Sequence, residues 1–186
     1  QLRRESEARL HFAQRREVAR GEVRVGRRPM RPKRHGHLYQ CAICGHVFRI
    51  EEIQRLMLER TTTAREAIRL ADELTKTYGY GDYGECLTIS DPKEVWHLEI
   101  LGATKNHVGA VWAAVRIPDD HVGVSANALR IGELDLKNPD YFLASDNVYT
   151  LAEEMKWWDS KGKEPFKFYK AYSRQKTNYW PHREWR

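Results

Sequence analysis

The side chains on which chemistry could rest are three thiols, an asparagine, an arginine, a histidine and a few acids. Cys41 and Cys44 form a Cys-x2-Cys-Gly knuckle with Tyr39 before it and Phe48 after it, the opening half of a zinc finger. Zinc takes four ligands in a tetrahedron, and a finger places its second pair roughly 12 to 20 residues onward. Residues 53–65 supply neither Cys nor His, which leaves His35, His37 and His46 to complete an improvised site. Two ordinary reduced thiols are the simpler reading, and no metal or other cofactor is expected. Cys86 falls mid-strand with its amide in a chain bond, so it cannot act as its own base. Asn127 interrupts an apolar segment, where a lone asparagine is unfavourable unless it has a role or sits at a solvated strand end. Arg130 could take a carboxylate bidentately or form an ordinary surface ion pair. Glu85 and Asp91 bracket a strand. Asp91-Pro92-Lys93 reads as turn chemistry, and Glu85 as a binding acid or one facing water. His97 alternates with Trp96 and Leu98, which points it to the opposite side from them as a solvated or satisfied ring, not a base.

The elements that must position these residues are legible from about Ile50 onward. Ile50, Ile53, Leu56 and Met57 mark one face of a short helix. Thr63-Ala64-Arg65-Glu66 is a capping box, after which Ala64, Ala67, Ile68, Ala71, Leu74 and Tyr78 recur at helical spacing and Gly79 stops the run. Four strand-like segments follow: 85–90, 94–100, 110–117 and 122–131. The first two are joined through Asp91-Pro92-Lys93 at the spacing of a tight hairpin, and short links make neighbours antiparallel. Segments 110–117 and 122–126 are apolar on both faces, which predicts a sheet covered on both sides. Covering material is available in residues 51–78 and in a helix predicted over Asn147 to Trp158, with Ser145 as its N-cap. Trp96 and Trp112 read as core rings, and the Trp157-Trp158 pair as packing against 165–168. The expected class is α+β with a sandwiched antiparallel sheet.

Composition separates this part from what precedes it. The chain of 186 residues has a formal net charge of +6. The first 36 residues hold 12 Lys and Arg against 4 Asp and Glu, and the other 150 hold 20 against 22. Residues 1–49 therefore read as a basic arm, with a marginal helix over 4–20 and a proline-broken run at 26–34 that buries too little apolar surface to order itself. Residues 50–186 read as the domain. The arm supports one alternative function, nucleic-acid binding through phosphate contacts, with or without zinc at the knuckle. The longest apolar run, Val108 to Val115, is far short of the roughly 20 residues needed to span a membrane. Gln1-Leu2-Arg3-Arg4 leads into charge, so no export signal is expected in this stretch. Three cysteines make no disulfide framework and favour a reducing compartment.

Taken in order, Thr-Ala-Arg-Glu-Ala-Ile (63–68), Tyr-Gly-Tyr (78–80), the 84–96 segment ending Asp-Pro-Lys-Glu-Val-Trp, the 109–119 segment Gly-Ala-Val-Trp-Ala-Ala-Val-Arg-Ile-Pro-Asp, and Ser-Ala-Asn-Ala-Leu-Arg-Ile (125–131) resemble the cysteine dipeptidase family of dipeptidase A and the secernins. Ser-Asp-Asn-Val-Tyr (145–149), Lys-Trp-Trp-Asp (156–159) and Arg-Glu-Trp-Arg (183–186) extend the resemblance, which covers about Ile50 to Arg186. It implies an N-terminal nucleophile hydrolase fold, two antiparallel sheets stacked between helical layers, of which this chain would carry a part. It implies cleavage of dipeptides by an N-terminal cysteine whose own α-amino group is the base. Asn127 would stabilise the oxyanion, with Arg130 and Glu85 holding the charged ends of the substrate. The family's nucleophile opens the mature chain, whereas this sequence opens with Gln1 and an arginine-rich segment. The expectation is a fragment without its nucleophile, inactive alone, whose partner is a small peptide and not a membrane or nucleic acid.

Overall fold

The computed structural model describes residues 24–26, 48–82, 84–103, 109–124 and 128–173. The expected arm helix over 4–20, the Cys41/Cys44 knuckle with His35, His37 and His46, Asn127, and the 183–186 stretch lie outside the described residues.

Two helices come first, and each has its first amide bound by an aspartate from the chain flanking the Gly84–Ser90 strand. Helix α1 (Ile50–Arg60) buries Ile50, Ile53 and Met57. Its leading amides are satisfied by Glu52, which accepts from Arg49 N at 3.0 Å, and by Asp82, which accepts from Ile50 N at 2.7 Å. Helix α2 (Ala64–Tyr78) has the capping box read from the sequence: Glu66 N donates to Thr63 Oγ1 at 3.2 Å and Thr63 N donates to Glu66 Oε2 at 3.2 Å. Its first amide, Ala64 N, donates to Asp91 Oδ2 at 2.8 Å. Gly79 ends it at φ 83°, a left-handed value glycine reaches without steric cost.

The sheet is an antiparallel meander in the order β1 (Arg24–Gly26), β2 (Gly84–Ser90), β3 (Val95–Gly102), β4 (Ala110–Ile117), β5 (Phe142–Ala144). The β2–β3 hairpin turns over Asp91–Glu94, as its spacing requires. Asp91 N donates to Glu94 O at 3.0 Å, while Asp91 Oδ1 accepts from Lys93 N at 2.7 Å and Glu94 N at 3.0 Å. Ser90 therefore pairs with Val95, and the ladder runs without slip to Gly84 opposite Leu101.

Alternation along these strands assigns their faces. Leu87, Ile89, Trp96, Leu98, Ile100, Trp112 and Ala114 meet α1 and α2 in one core cluster. Val111 and Ala113 face the other way, into a second cluster with Ile131, Leu151, Phe166, Phe168 and Tyr172. That cluster includes two short helices, α3 (Thr150–Glu154) and α4 (Phe168–Tyr172). The fold is α+β: α1 and α2 cover one face of the antiparallel sheet, and irregular chain with the two short helices packs on the other. Trp96 is fully buried and Trp112 nearly so, as expected of core rings, and Trp158 meets Phe166 edge-on at 5.2 Å. Among the described residues no helix is long and apolar enough to cross a membrane.

Three expectations fail, and the backbone shows why. The strand read over 122–131 is absent where the chain is described: residues 121–124 and 128–131 are irregular, and β5 takes the edge beside β4 instead. The 130–132 backbone is bound to other partners. Glu99 accepts the amides of Arg130 and Ile131, and the carbonyls of Ile131 and Gly132 accept from Tyr169 N and Phe168 N at the start of α4. The helix read over 147–158 is turn at 146–149 and helix only over Thr150–Glu154, because Lys156 takes φ 56°. There Trp157 N closes on Ala152 O and Lys156 N on Glu153 O, the Schellman arrangement with lysine where glycine is usual. Ser145 does not cap that helix. Its Oγ accepts from Trp112 N at 3.0 Å and its amide donates to Trp112 O at 3.0 Å, which extends the β4–β5 pairing by one residue.

Asp91 joins the hairpin to α2. Burial alone would raise its carboxyl, but the amides of Ala64, Lys93 and Glu94, aided by the Lys93 charge, outweigh this and hold it below its ordinary value. A depressed carboxyl gives stability that is complete above the unfolded value and is lost as the pH falls through the folded one. Asp91→Ala is expected to cost about 1–2 kcal/mol at neutral pH, on the scale of a lost helix cap, read as a lowered urea midpoint. The gap between wild type and variant is expected to close as acid protonates Asp91.

Candidate functional site

The hairpin register decides which polar side chains meet on the face away from α1 and α2. Ser90 opposite Val95 puts Thr88 opposite His97 and Cys86 opposite Glu99. On β4 the partners of His97 and Glu99 are Val115 and Ala113. His97 and Glu99 are two residues apart on one strand, so both project from the same face. There His97 Nε2 lies 3.0 Å from Glu99 Oε1.

Glu99 is fully buried, and a buried carboxylate persists only when its oxygens are supplied with donors. Oε1 accepts from Arg130 N at 2.5 Å, and Ile131 N approaches Oε1 at 3.3 Å and Oε2 at 3.2 Å. This one side chain thereby holds the irregular 128–131 segment against the sheet. Cys86 Sγ donates to Ala128 O at 3.6 Å from the neighbouring strand. Ile131 is buried by the arrangement and the Arg130 side chain is left exposed.

Arg130 stands at a groove of about 880 Å³ above β3 and β4, whose lining includes His97, Val115, Ile117, Val122 and Val124. The apolar wall is joined by charges of both signs, Lys93 and Arg130 beside Asp91, Glu94, Asp119 and Glu133, a lining that suits a small ligand with charged ends. A second cavity of about 600 Å³ lies beside Trp157, Trp158 and Lys170 and holds none of the sequence-predicted site residues.

Of those that are described, Arg130, His97 and Asp91 line the groove. Glu85 is 6% exposed and shares the face of Leu87 and Ile89, toward α1 and α2, so the sheet separates it from Arg130. Asp91 serves the turn and the α2 cap. The sequence reading has His97 on the correct face but treats it as solitary, and it passes over Glu99. A signal for the cluster is present: a turn pairing Ser90 with Val95 fixes every later partner by counting, and the count brings Cys86, His97 and Glu99 together.

Removing the Glu99 carboxylate strands the two loop amides and His97. Glu99→Ala is expected to destabilise the chain by about 2 kcal/mol or more, since each buried group left unpaired costs about 1–3 kcal/mol. Amide hydrogen exchange at Arg130 and Ile131 is expected to accelerate beyond that of the β3–β4 ladder; unchanged exchange there would mean the loop is held by something else.

Comparison with known proteins gives this geometry its context. The family model described as peptidase family C69 matches residues 13–186, a match that begins within the segment read as an arm and includes β1. The "Probable dipeptidase B" of Lactococcus lactis subsp. lactis (strain IL1403) is 40% identical over 97 residues, which are 52% of this chain and 19% of that protein. The "Probable dipeptidase" of Latilactobacillus sakei is 34% identical over 93 residues, 50% of this chain and 18% of its own length. The "Probable dipeptidase" of Salmonella dublin is 30% identical over 128 residues, 69% of this chain and 28% of that protein. The matched stretch is thus less than a third of each relative's length. With the family match extending over nearly the whole sequence, the chain belongs to peptidase family C69.

Proposed function

We propose that this chain is a section of a cysteine-type dipeptidase, supplying the antiparallel sheet and one wall of the cleft that receives the peptide. The observation that carries the reading is the family match over residues 13–186, and the groove at Arg130 supports it. A dipeptide has a free carboxylate at one end, and an exposed guanidinium offers it two parallel hydrogen bonds. The apolar wall of Val115, Ile117, Val122 and Val124 suits an uncharged side chain of the substrate. Asn127, three residues before Arg130, is assigned the oxyanion of the tetrahedral intermediate. Glu85, on the opposite face of β2, is assigned no role in the groove.

In the proposed reaction a cysteine thiolate attacks the amide carbonyl. The α-amino group of the same residue takes the thiol proton and returns it to the leaving amine. An α-amine is suited to this because its ordinary pKa, about 7.7–8.0, lies near working pH. In the sequence as it stands Cys41, Cys44 and Cys86 each have the nitrogen in a peptide bond, and the reading assigns none of them as nucleophile and base together.

The 186-residue chain alone is therefore expected to release no amino acid from a panel of dipeptides. Turnover that a thiol reagent abolishes would refute the assignment of the missing nucleophile. Binding is a separate measurement. Titration with unhydrolysed dipeptides, followed by calorimetry or amide shifts, is expected to show Arg130→Ala weakening the complex about tenfold or more, the worth of a charged hydrogen bond. Equal binding by wild type and variant would remove Arg130 from the substrate site.

A further inference from the structure

On the sheet face away from α1 and α2 a thiol, an imidazole and a carboxylate converge. One ligand atom from each of Cys86, His97 and Glu99 lies within 4.8 Å of the other two. The convergence follows from pairing, not from a flexible loop. Cys86 and Glu99 are direct cross-strand partners, and His97 is two residues from Glu99 on the same strand. Glu99 is fully buried, and the His97 side chain is 16% exposed where it lines the groove.

We propose that Cys86, His97 and Glu99 form a binding site for a divalent transition-metal cation of the zinc type, with three protein ligands and a fourth position for water. The donor set selects the ion. Sulfur and nitrogen beside a single oxygen suit zinc and cobalt, whereas magnesium and calcium take oxygen ligands throughout. The distances suit a tetrahedron. With bonds of about 2.0–2.3 Å, ligand atoms sit about 3.3–3.8 Å apart, so the three groups need to close by at most about 1–1.5 Å. The His97–Glu99 hydrogen bond at 3.0 Å is exchanged for two bonds to the metal.

Charge and protons balance as well. Binding forms a sulfur–metal bond, breaks the Cys86 S–H bond and releases that proton to solvent, ending the thiol's hydrogen bond to Ala128 O. His97 binds as the neutral ring. Thiolate and carboxylate together carry two negative charges, which the dication neutralises inside the fold. The carboxylate is already oriented by the amides of Arg130 and Ile131, the kind of outer support that metal-ligating carboxylates require. This inference stands apart from the dipeptidase reading, because it concerns affinity for a metal and not turnover.

The test uses the full chain with Cys41→Ser and Cys44→Ser, which leaves Cys86 as its one thiol. Titration with Co²⁺ is expected to give a sulfur-to-cobalt charge-transfer band in the near ultraviolet, with the visible bands of a tetrahedral centre, saturating at one ion per chain. Zn²⁺ is expected to bleach both. Adding Cys86→Ser is expected to abolish the charge-transfer band, with circular dichroism showing the fold intact. His97→Gln, at a partly exposed position, is expected to weaken Co²⁺ binding about tenfold to a hundredfold. Two results would overturn the proposal: no charge-transfer band in the Cys41→Ser, Cys44→Ser chain, or a band whose affinity His97→Gln leaves unchanged, which would mark simple thiol binding without a site.

Discussion

The carboxylate of Asp91 is the constraint from which the rest follows. It accepts the amides of Lys93 and Glu94, which closes the β2–β3 turn, and the amide of Ala64, which begins α2. One group thus sets the register of the central hairpin and docks a helix against it. Register matters because side chains alternate faces with a period of two, so a slip of one residue would exchange the two faces of a strand. With Ser90 on Val95, Leu87, Trp96 and Leu98 meet the helices while Cys86, His97 and Glu99 meet the opposite side. The apolar core and the polar cluster are two consequences of one alignment.

A second carboxylate organises that opposite side. Glu99 accepts from the backbone amides of Arg130 and Ile131, and so holds as an irregular segment a stretch that could have paired as a strand. A β-ladder would have directed the alternate residues of 128–131 to regular positions above and below the sheet. The attachment through Glu99 instead buries Ile131 and leaves Arg130 at the groove. Binding residues held on irregular chain and fixed by a rigid element beneath are a common arrangement, because the ladder gives precision and the loop gives reach.

Arg65 ties these parts to the far edge of the sheet. Its Nε donates to Glu94 in the hairpin turn at 2.9 Å, its other nitrogens to the carbonyls of Pro139 and Asp140 just ahead of β5, and its guanidinium lies 4.8 Å from the centre of the Trp96 ring. Helix α2, the hairpin and the approach to β5 therefore share one planar cation, with donors spread widely enough to reach all three. Asp72 on the same helix accepts from the Trp112 indole at 2.8 Å, so the helix also grips the face of β4 through a buried aromatic.

The sequence by itself determined what depends on near neighbours. Thr63 with Glu66, Gly79 after Tyr78, and the Asp91-Pro92-Lys93 turn act over three or four residues, and alternation assigns Trp96 and His97 to opposite faces from the strand alone. The tertiary structure decided whatever depends on a partner distant in the chain. Glu99 reads as an unremarkable acid in an apolar strand until the amides of Arg130 and Ile131 reach it from more than thirty residues away. Ser145 reads as a helix cap until Trp112 claims its hydroxyl, and the 122–131 strand looks sound until its backbone groups are engaged by a side chain and by α4. Local patterns express steric and capping preferences that each residue carries with it. Which of several competing hydrogen-bond partners a backbone group takes depends on the packing of the whole chain, and no window of sequence contains that information.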